Sequence, residues 1–406
     1  MSRVSPAFIV RVVSPTILIV IGLVALVPGV LTLVGRSDVA DGQGGDFPAF
    51  YAAGRIVLEG GIDDLYDGAT QRSYQSGLHE TDTEFLYFAY PPVVAVAFAA
   101  IAWMPYGVAL SVYSLVSMAA LIGAIAWILP HRVSPYPRRA QVLAGCAAAV
   151  VAYPVLASLL GGQNTTFTIL LVGLAWSGVI NGQPALAGLA AAGTLYKPQY
   201  GLLVLLAVAL TRSRRVVGWA MGGALAFYGA NAVIAGWGWL AAWLEQVQLF
   251  NGVNRVANGW RMINAVGWFQ NLIGDPTGSR IGWILAVVVA LVGIWFIWRC
   301  GPRSEVFAGV TAWIIFVSPS SLFYDFGLVV VGTLVVVLAG DGRLAIGVAI
   351  IGATWIEVFA PNLGWSPTFV LLVIVLIAAM RQLLSSTNDS VSYPLGTLAA
   401  RSRTRE

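Results

Sequence analysis

Apolar runs divided by short polar breaks fill most of this chain. The first, Val12–Val34, follows Arg3 and Arg11. A polar, acidic stretch from Gly35 to about Tyr90 comes next, and Tyr90-Pro91-Pro92 opens a shorter run, Val93–Met104. Further runs are Gly107–Leu129, Ala140–Leu160, Thr165–Ile180, Ala185–Tyr196, Tyr200–Leu210, Val216–Ala235, Ile281–Trp298, Val306–Val317, Phe326–Ala339, Leu344–Phe359 and Thr368–Met380. A second polar stretch, Gly236–Arg280, is rich in Trp and Asn. A helix needs about 20 apolar residues to cross a bilayer, and in lipid its backbone must pair internally. Barrel strands are short and alternating, whereas these runs are long and unbroken. The pattern predicts an all-α polytopic membrane protein of about 12 transmembrane helices, with Ala185–Tyr196 and Tyr200–Leu210 short for crossing.

Val93–Met104 is too short to cross and begins with prolines, which start helices; it reads as a re-entrant helix. The positive-inside rule supports that choice. It puts Arg132, Arg138 and Arg139 on the cytoplasmic side, together with Arg212, Arg214, Arg215, Arg299, Arg303 and Arg343. Fifteen of the 22 basic residues then lie inside, and seven outside (Arg36, Arg55, Arg72, Lys197, Arg255, Arg261 and Arg280). Both termini are expected in the cytoplasm. Residues 1–380 are expected to form one transmembrane domain. Within it, 35–106 is a first outer loop with juxtamembrane and re-entrant helices, and 236–280 is a second outer loop. Residues 381–406 are expected to be a disordered cytoplasmic tail. Val12–Val34 is too long for a signal-peptide core and lacks a convincing cleavage site, so it is expected to be the first span. Trp237, Trp239, Trp243, Trp260 and Trp268 suit an interfacial helix in the second loop.

Composition narrows the function. Of 406 residues, 58% are hydrophobic and 10% charged, against roughly a quarter charged in soluble domains; mean hydropathy is +0.82. Cys146, Cys300, His79 and His131 make no disulfide framework or metal pattern. There is no phosphate-binding Gly-rich Lys-Ser/Thr loop, no Gly-x-Ser-x-Gly elbow and no His-Glu-x-x-His. Nothing points to nucleic acid, and no cytoplasmic segment is large enough to bind a nucleotide-sugar. Membrane lipids are the evident partners.

The candidate chemistry gathers on the outer side: Asp46, Tyr51, Arg55, Gln163, Asn164, Lys197, Arg255, Arg261, Tyr324 and Asp325. Ionisable groups at span ends are costly unless they face a cavity. Asp46 follows Gly44-Gly45 and is a candidate general base; as an alternative it caps the helix that begins near Pro48. Lys197, the sole lysine, can hold a lipid phosphate as a point charge or snorkel to headgroups. Arg55, Arg255 and Arg261 are the other phosphate clamps. Gln163, Asn164, Tyr51, Tyr324 and Asp325 are candidates for a sugar or acceptor, while Asn164 and Asp325 are equally suited to capping. Asp63, Asp64 and Asp67 are read as turn residues rather than a divalent-cation site; no cofactor is expected. Glu357, near the outer end of its run, is expected to pair or face the cavity.

An ordered set of short motifs spans nearly the whole chain. It comprises Gly45-Asp46-Phe47-Pro48-Ala49-Phe50-Tyr51-Ala52-Ala53-Gly54, Leu65-Tyr66, Phe88-Ala89-Tyr90-Pro91-Pro92, Gly162-Gln163-Asn164, Gly188 to Lys197-Pro198, and Ser318-Pro319 with Tyr324-Asp325. It resembles the family 87 glycosyltransferases of the GT-C superfamily, which include polyprenol-phosphate-mannose-dependent mannosyltransferases. The resemblance implies a GT-C-like bundle in a bacterial plasma membrane. It implies a polyprenyl-phosphate-sugar donor, a glycan or glycolipid acceptor, and Asp46 as the base. The histidine that some members carry in a late outer loop has no counterpart in Ser318–Asp325. The alternative is a transporter or flippase of a lipid-linked or polar solute, which would favour ionisable groups at mid-membrane depth and paired broken helices.

Overall fold

The computed structural model describes residues 45–78, 85–129, 137–338 and 344–391. The expected first span, His79, His131 and the end of the tail lie outside the described residues. The helices are α1 (Phe47–Leu58), α2 (Gly68–Gln75), α3 (Pro92–Ala102), α4 (Tyr106–Ile128), α5 (Arg138–Val151), α6 (Tyr153–Leu160), α7 (Thr165–Ile180), α8 (Pro184–Gly193) and α9 (Pro198–Ala209). They continue with α10 (Arg214–Ala235), α11 (Trp239–Asn258), α12 (Ala265–Ile273), α13 (Thr277–Cys300), α14 (Phe307–Val317), α15 (Gly327–Leu338), α16 (Leu344–Ala353), α17 (Ala360–Leu363) and α18 (Thr368–Val391). Proline sets many of the starts. Pro48, Pro92, Pro154, Pro184 and Pro198 stand in the first turns of α1, α3, α6, α8 and α9, where their missing N–H would have had no helical partner anyway.

Most expected runs are helices at the expected places, and Thr165–Ile180 is α7 to the residue. Two differ. Ala140–Leu160 is not one straight helix: α5 and α6 meet at a bend of 79°. Proline disfavours helical backbone just before itself and cannot donate to the preceding turn, and the chain leaves the helix at Ala152, two residues ahead of Pro154 (φ −67°, ψ 125°). The last helix runs past residue 380 to Val391, so the expected disordered tail begins as helix. Arg381-Gln382-Leu383-Leu384 are all good helix formers.

Among the described residues, α4, α10 and α13 are each long and apolar enough to cross a membrane, and the bent α5–α6 pair brings the number to four. The other expected spans are apolar helices of 10–17 residues. The expected re-entrant segment is α3, of 11 residues. α13 leaves Trp283, Ile284, Val287, Leu291, Trp295 and Trp298 exposed. So continuous an apolar face is foreign to a water-soluble surface; the protein is a membrane protein whose solvent there is lipid.

Lipid gives helices little reason to associate, so membrane helices pack through small residues. A Cβ on Gly188 would lie 2.5 Å from Trp219 Cβ and 2.6 Å from the Ala220 nitrogen, which is why α8 and α10 touch along their length. Gly54 does the same for α1 on α3, where a Cβ would lie 2.8 Å from the Phe98 backbone. The main core draws Tyr200, Phe307, Trp313 and Phe326 from α9, α14 and the turn Phe323–Phe326 before α15. A smaller core surrounds α1 with Phe47, Phe50, Phe88, Phe98 and Tyr113, Phe50 and Phe98 stacking at 4.6 Å.

Gly188→Leu is therefore expected to force α8 off α10 and cost about 1–3 kcal/mol, the usual range for overpacking. Gly218→Ala, where a Cβ meets nothing within 4 Å, is expected to leave stability unchanged or raise it. Thermal unfolding of the two variants in the same detergent checks the difference.

Candidate active site

Two backbones touch where Asp46 is held. Gly45 has φ +46°, and a Cβ there would fall 2.4 Å from the Gly161 oxygen. With no Cβ in the way, the Asp46 N–H donates to that oxygen at 3.0 Å. Gly161 ends α6, so the break at Ala152 delivers this contact. Gly162, at φ +58°, then turns the chain so that Gln163 stands beside Asp46 on the cavity wall. Asp46 occupies the N-cap position of α1, yet its side chain makes no capping bond. The carboxylate instead faces a cavity of about 520 Å³, well within the range for small-ligand sites.

Opposite charges converge on the same cavity. Lys197 sits between the turn Thr194–Tyr196 and α9, and its ammonium pairs with Asp325 Oδ1 at 3.1 Å. Both residues are buried, Lys197 to 4% exposure. The Thr165 hydroxyl donates to the same Asp325 oxygen at 3.2 Å, and the Leu322 N–H donates to Oδ2 at 3.2 Å. Asp325 thus both caps its own turn and holds the lysine. Arg261 comes from the turn Gly259–Arg261, its guanidinium 4.3 Å from the Trp260 ring centroid. Its position follows from the next residues. Met262 bridges Leu322, and Ile263 N–H donates to the Ser321 carbonyl at 3.0 Å. The Tyr200 hydroxyl fixes the same turn through Ser321 Oγ at 2.9 Å.

The fourth wall is an extended stretch, 86–90, that sequence reasoning missed as a built element. Gln75 bonds both backbone groups of Leu86, Nε2 to O at 2.7 Å and Oε1 from N at 3.0 Å. Gln71 Oε1 accepts from Phe88 N–H at 3.0 Å. The Tyr66 hydroxyl donates to the Tyr90 carbonyl at 2.7 Å, and Trp243 Nε1 to that of Ala89 at 3.1 Å. Side-chain amides take the place of a neighbouring strand. Buried glutamines on the short polar helix α2 were the signal available in sequence.

Of the candidates, Asp46, Gln163, Lys197, Arg261, Tyr324 and Asp325 line the cavity. Asn164 also stands uncapped at the start of α7, but it lines an adjoining apolar cleft of about 440 Å³ between α3, α4 and α7, which shares Tyr196 with the cavity. Three candidates lie elsewhere. The Tyr51 hydroxyl donates to the Met104 carbonyl at 2.8 Å inside the aromatic core. Arg55 is tied to Glu59 one turn on, Nε to Oε1 at 3.1 Å, since an i, i+4 partner on an exposed face captures it first. Arg255 is exposed on α11 and does not line the cavity. Asp63 and Asp64 are exposed on a turn, and Asp67 caps α2 through Thr70 N–H at 2.7 Å. Among the described residues no three His, Cys, Asp or Glu side chains are grouped to hold a metal ion. Glu357 lies off the cavity, its Oε2 accepting from Ser366 and Thr368.

Loss of water around Asp46 pushes its pKa above the ordinary carboxylate value. The Gln163 amide, then Lys197, pull it back, Asp325 opposes them, and Arg261 adds a smaller downward pull. Asp325→Ala would leave Lys197 buried with no anion at hydrogen-bond distance. Breaking one side of a buried pair costs about 3–5 kcal/mol, and a fall in Tm of matching size is expected in detergent. Lys197→Met combined with Asp325→Leu is expected to recover most of that stability, because no unpaired charge remains.

The profile of glycosyltransferase family 87 matches residues 88–322, more than half of the chain. The match takes in Gln163, Lys197 and Arg261; Asp46 precedes it, and Tyr324 and Asp325 follow within three residues. No curated protein and no solved structure matches the chain. A lipid-embedded helical bundle, a polar cavity with an uncapped carboxylate and the family match agree: the chain belongs to glycosyltransferase family 87 and is a membrane glycosyltransferase.

Proposed function

We propose that the protein moves a hexose, with mannose favoured, from a polyprenyl-phosphate-sugar donor to a glycan or glycolipid acceptor, inverting the anomeric carbon. The site then faces the extracytoplasmic side of a plasma membrane, with about 12 spans and both termini in the cytoplasm. Asp46 takes the acceptor hydroxyl proton. The acceptor oxygen attacks the anomeric carbon, and the bond from that carbon to the phosphate oxygen breaks. Polyprenyl phosphate departs with the bonding electrons, beside Lys197 and Arg261. Donor and acceptor bring all the reacting atoms, and no cofactor enters.

The observation that carries this reading is the Asp46 carboxylate. Its residue is fixed through the Gly161 backbone, it does not cap its helix, and it faces a cavity with two cations. The apolar cleft beside Tyr196, lined by Val94, Phe98, Val116 and Phe167, suits the polyprenyl chain. Arg261 is the freer phosphate ligand, since Lys197 is engaged by Asp325 and the Arg261 Nε has no hydrogen-bond partner among the described residues. With the family established, the transporter alternative has no observation in its favour.

Labelled polyprenyl-phosphate-mannose supplied to membranes gives the test. Asp46→Asn keeps the shape and removes the base, and a loss of about 10²–10⁴-fold in transfer rate is expected. Equal transfer by wild type and variant would move the base elsewhere. The pH profile offers an independent check. The base works as the carboxylate, so activity falls as pH drops through a pKa raised above the ordinary value near 4. Gln163→Ala removes the neighbouring amide that favours the carboxylate. The acidic limb of that variant is expected at higher pH than in wild type.

A further inference from the structure

Helix α11 carries a polar stripe that the reaction above leaves unused. Asn251, Asn254 and Asn258 all line the cavity, at spacings of three and four residues that put them on one helix face. The opposite face holds Leu249, Val253 and Val256, exposed to 54%, 49% and 88%. This is the reverse of a helix on a soluble protein, whose apolar face turns inward. An aliphatic outer face of this kind rests in the bilayer interface, and the amides are turned in toward the cavity.

The asparagines are also incompletely bonded. Asn258 Nδ2 donates to Asn254 Oδ1 at 2.8 Å, which fixes how the Asn254 amide is turned. Asn254 is only 4% exposed, and its Nδ2 has no hydrogen-bond partner among the described residues. A buried donor left so costs free energy until a ligand satisfies it. The required ligand chemistry is neutral and rich in hydroxyls. Amides both donate and accept without charge, as paired sugar hydroxyls need, whereas a phosphate would call for cations. Phe250 and Trp243 line the cavity from the same helix and offer flat apolar surface to the C–H face of a sugar ring.

We propose that Asn251, Asn254 and Asn258 form a carbohydrate-binding subsite that holds ring hydroxyls of a sugar in the cavity. The sugar belongs either to the acceptor or to the donor. The proposal rests on the glycosyl-transfer reading for the identity of those two substrates.

Initial rates in membranes, with donor and acceptor varied in turn, decide it. Asn251→Ala and Asn254→Ala are each expected to raise one KM about fivefold, the worth of one neutral hydrogen bond, and the triple alanine variant about 100-fold. A rise confined to the acceptor KM assigns the stripe to the acceptor, and a rise confined to the donor KM to the donor. Gln248→Ala, exposed on α11, is the control and is expected to behave as wild type. Both KM values within twofold of wild type in Asn251→Ala and Asn254→Ala overturn the subsite, whatever happens to kcat. Asn251 is half-buried, so its variant reports even where the triple variant fails to fold. If Asp46→Asn transfers normally while the asparagine variants raise a KM, the base assignment falls and the subsite stands. Should wild type transfer nothing, binding of mannobiose to purified protein replaces the kinetics. Weaker binding by Asn251→Ala/Asn254→Ala then supports the subsite, and equal or absent binding overturns it.

Discussion

A buried ammonium must have a buried anion, and the pairing of Lys197 with Asp325 organises this molecule. The two residues are 128 positions apart. Taking either charge out of water alone is prohibitive, so the junction of α8 and α9 has to meet the turn that precedes α15. Thr165 adds the start of α7 to the same point. Three helix ends are thereby brought to one depth. The shortness of α8 and α9 belongs with this arrangement, because the chain stops and restarts at Lys197-Pro198 to present the lysine.

Glycine and proline complete what the ion pair begins. Pro154 breaks the run that ends at Gly161, and the freed end of α6 reaches the chain just ahead of Asp46. Only glycine at position 45 allows the two backbones to touch. A capping bond would have consumed the Asp46 carboxylate. The backbone contact instead fixes the residue through its N–H and leaves the side chain to Gln163 and the cavity. Helix ends with unused polar groups are expensive in an apolar surrounding, and here the cavity is where those groups collect.

Much of this was legible in the sequence, and the failures have physical causes. Helix positions were readable because apolar runs and prolines are local signals, and Asp46, Gln163, Lys197, Arg261, Tyr324 and Asp325 were readable as polar residues in the breaks between runs. Arg55 was misjudged because a helix partner four residues away competes for it, and Tyr51 because a tyrosine can bury its ring and spend its hydroxyl on a carbonyl. Periodicity ignores such competition. The bend at Ala152 was missed although Pro154 was in plain view, since hydropathy does not register direction. The asparagines of α11 were missed for another reason. Sequence shows that a stretch is rich in Asn and Trp, but not which helix face meets the cavity.

The charges explain why such a cavity suits the proposed transfer. Asp46 and Asp325 are balanced by Lys197 and Arg261, so the four groups together are neutral. A sugar joined to a polyprenyl chain through one phosphate brings a single negative charge. As the acceptor proton moves to Asp46, that residue loses its charge, while the departing phosphate gains one. The net charge of the cavity is the same before and after. Little solvent reorganisation is then needed in a place with little solvent, which is the condition under which fixed protein charges act most strongly. A second base nearby would upset this balance, and Asp325 is kept out of that role by its lysine. The asymmetry between the two carboxylates, one paired with a lysine and one open to the cavity, suits them to different work in the proposed transfer.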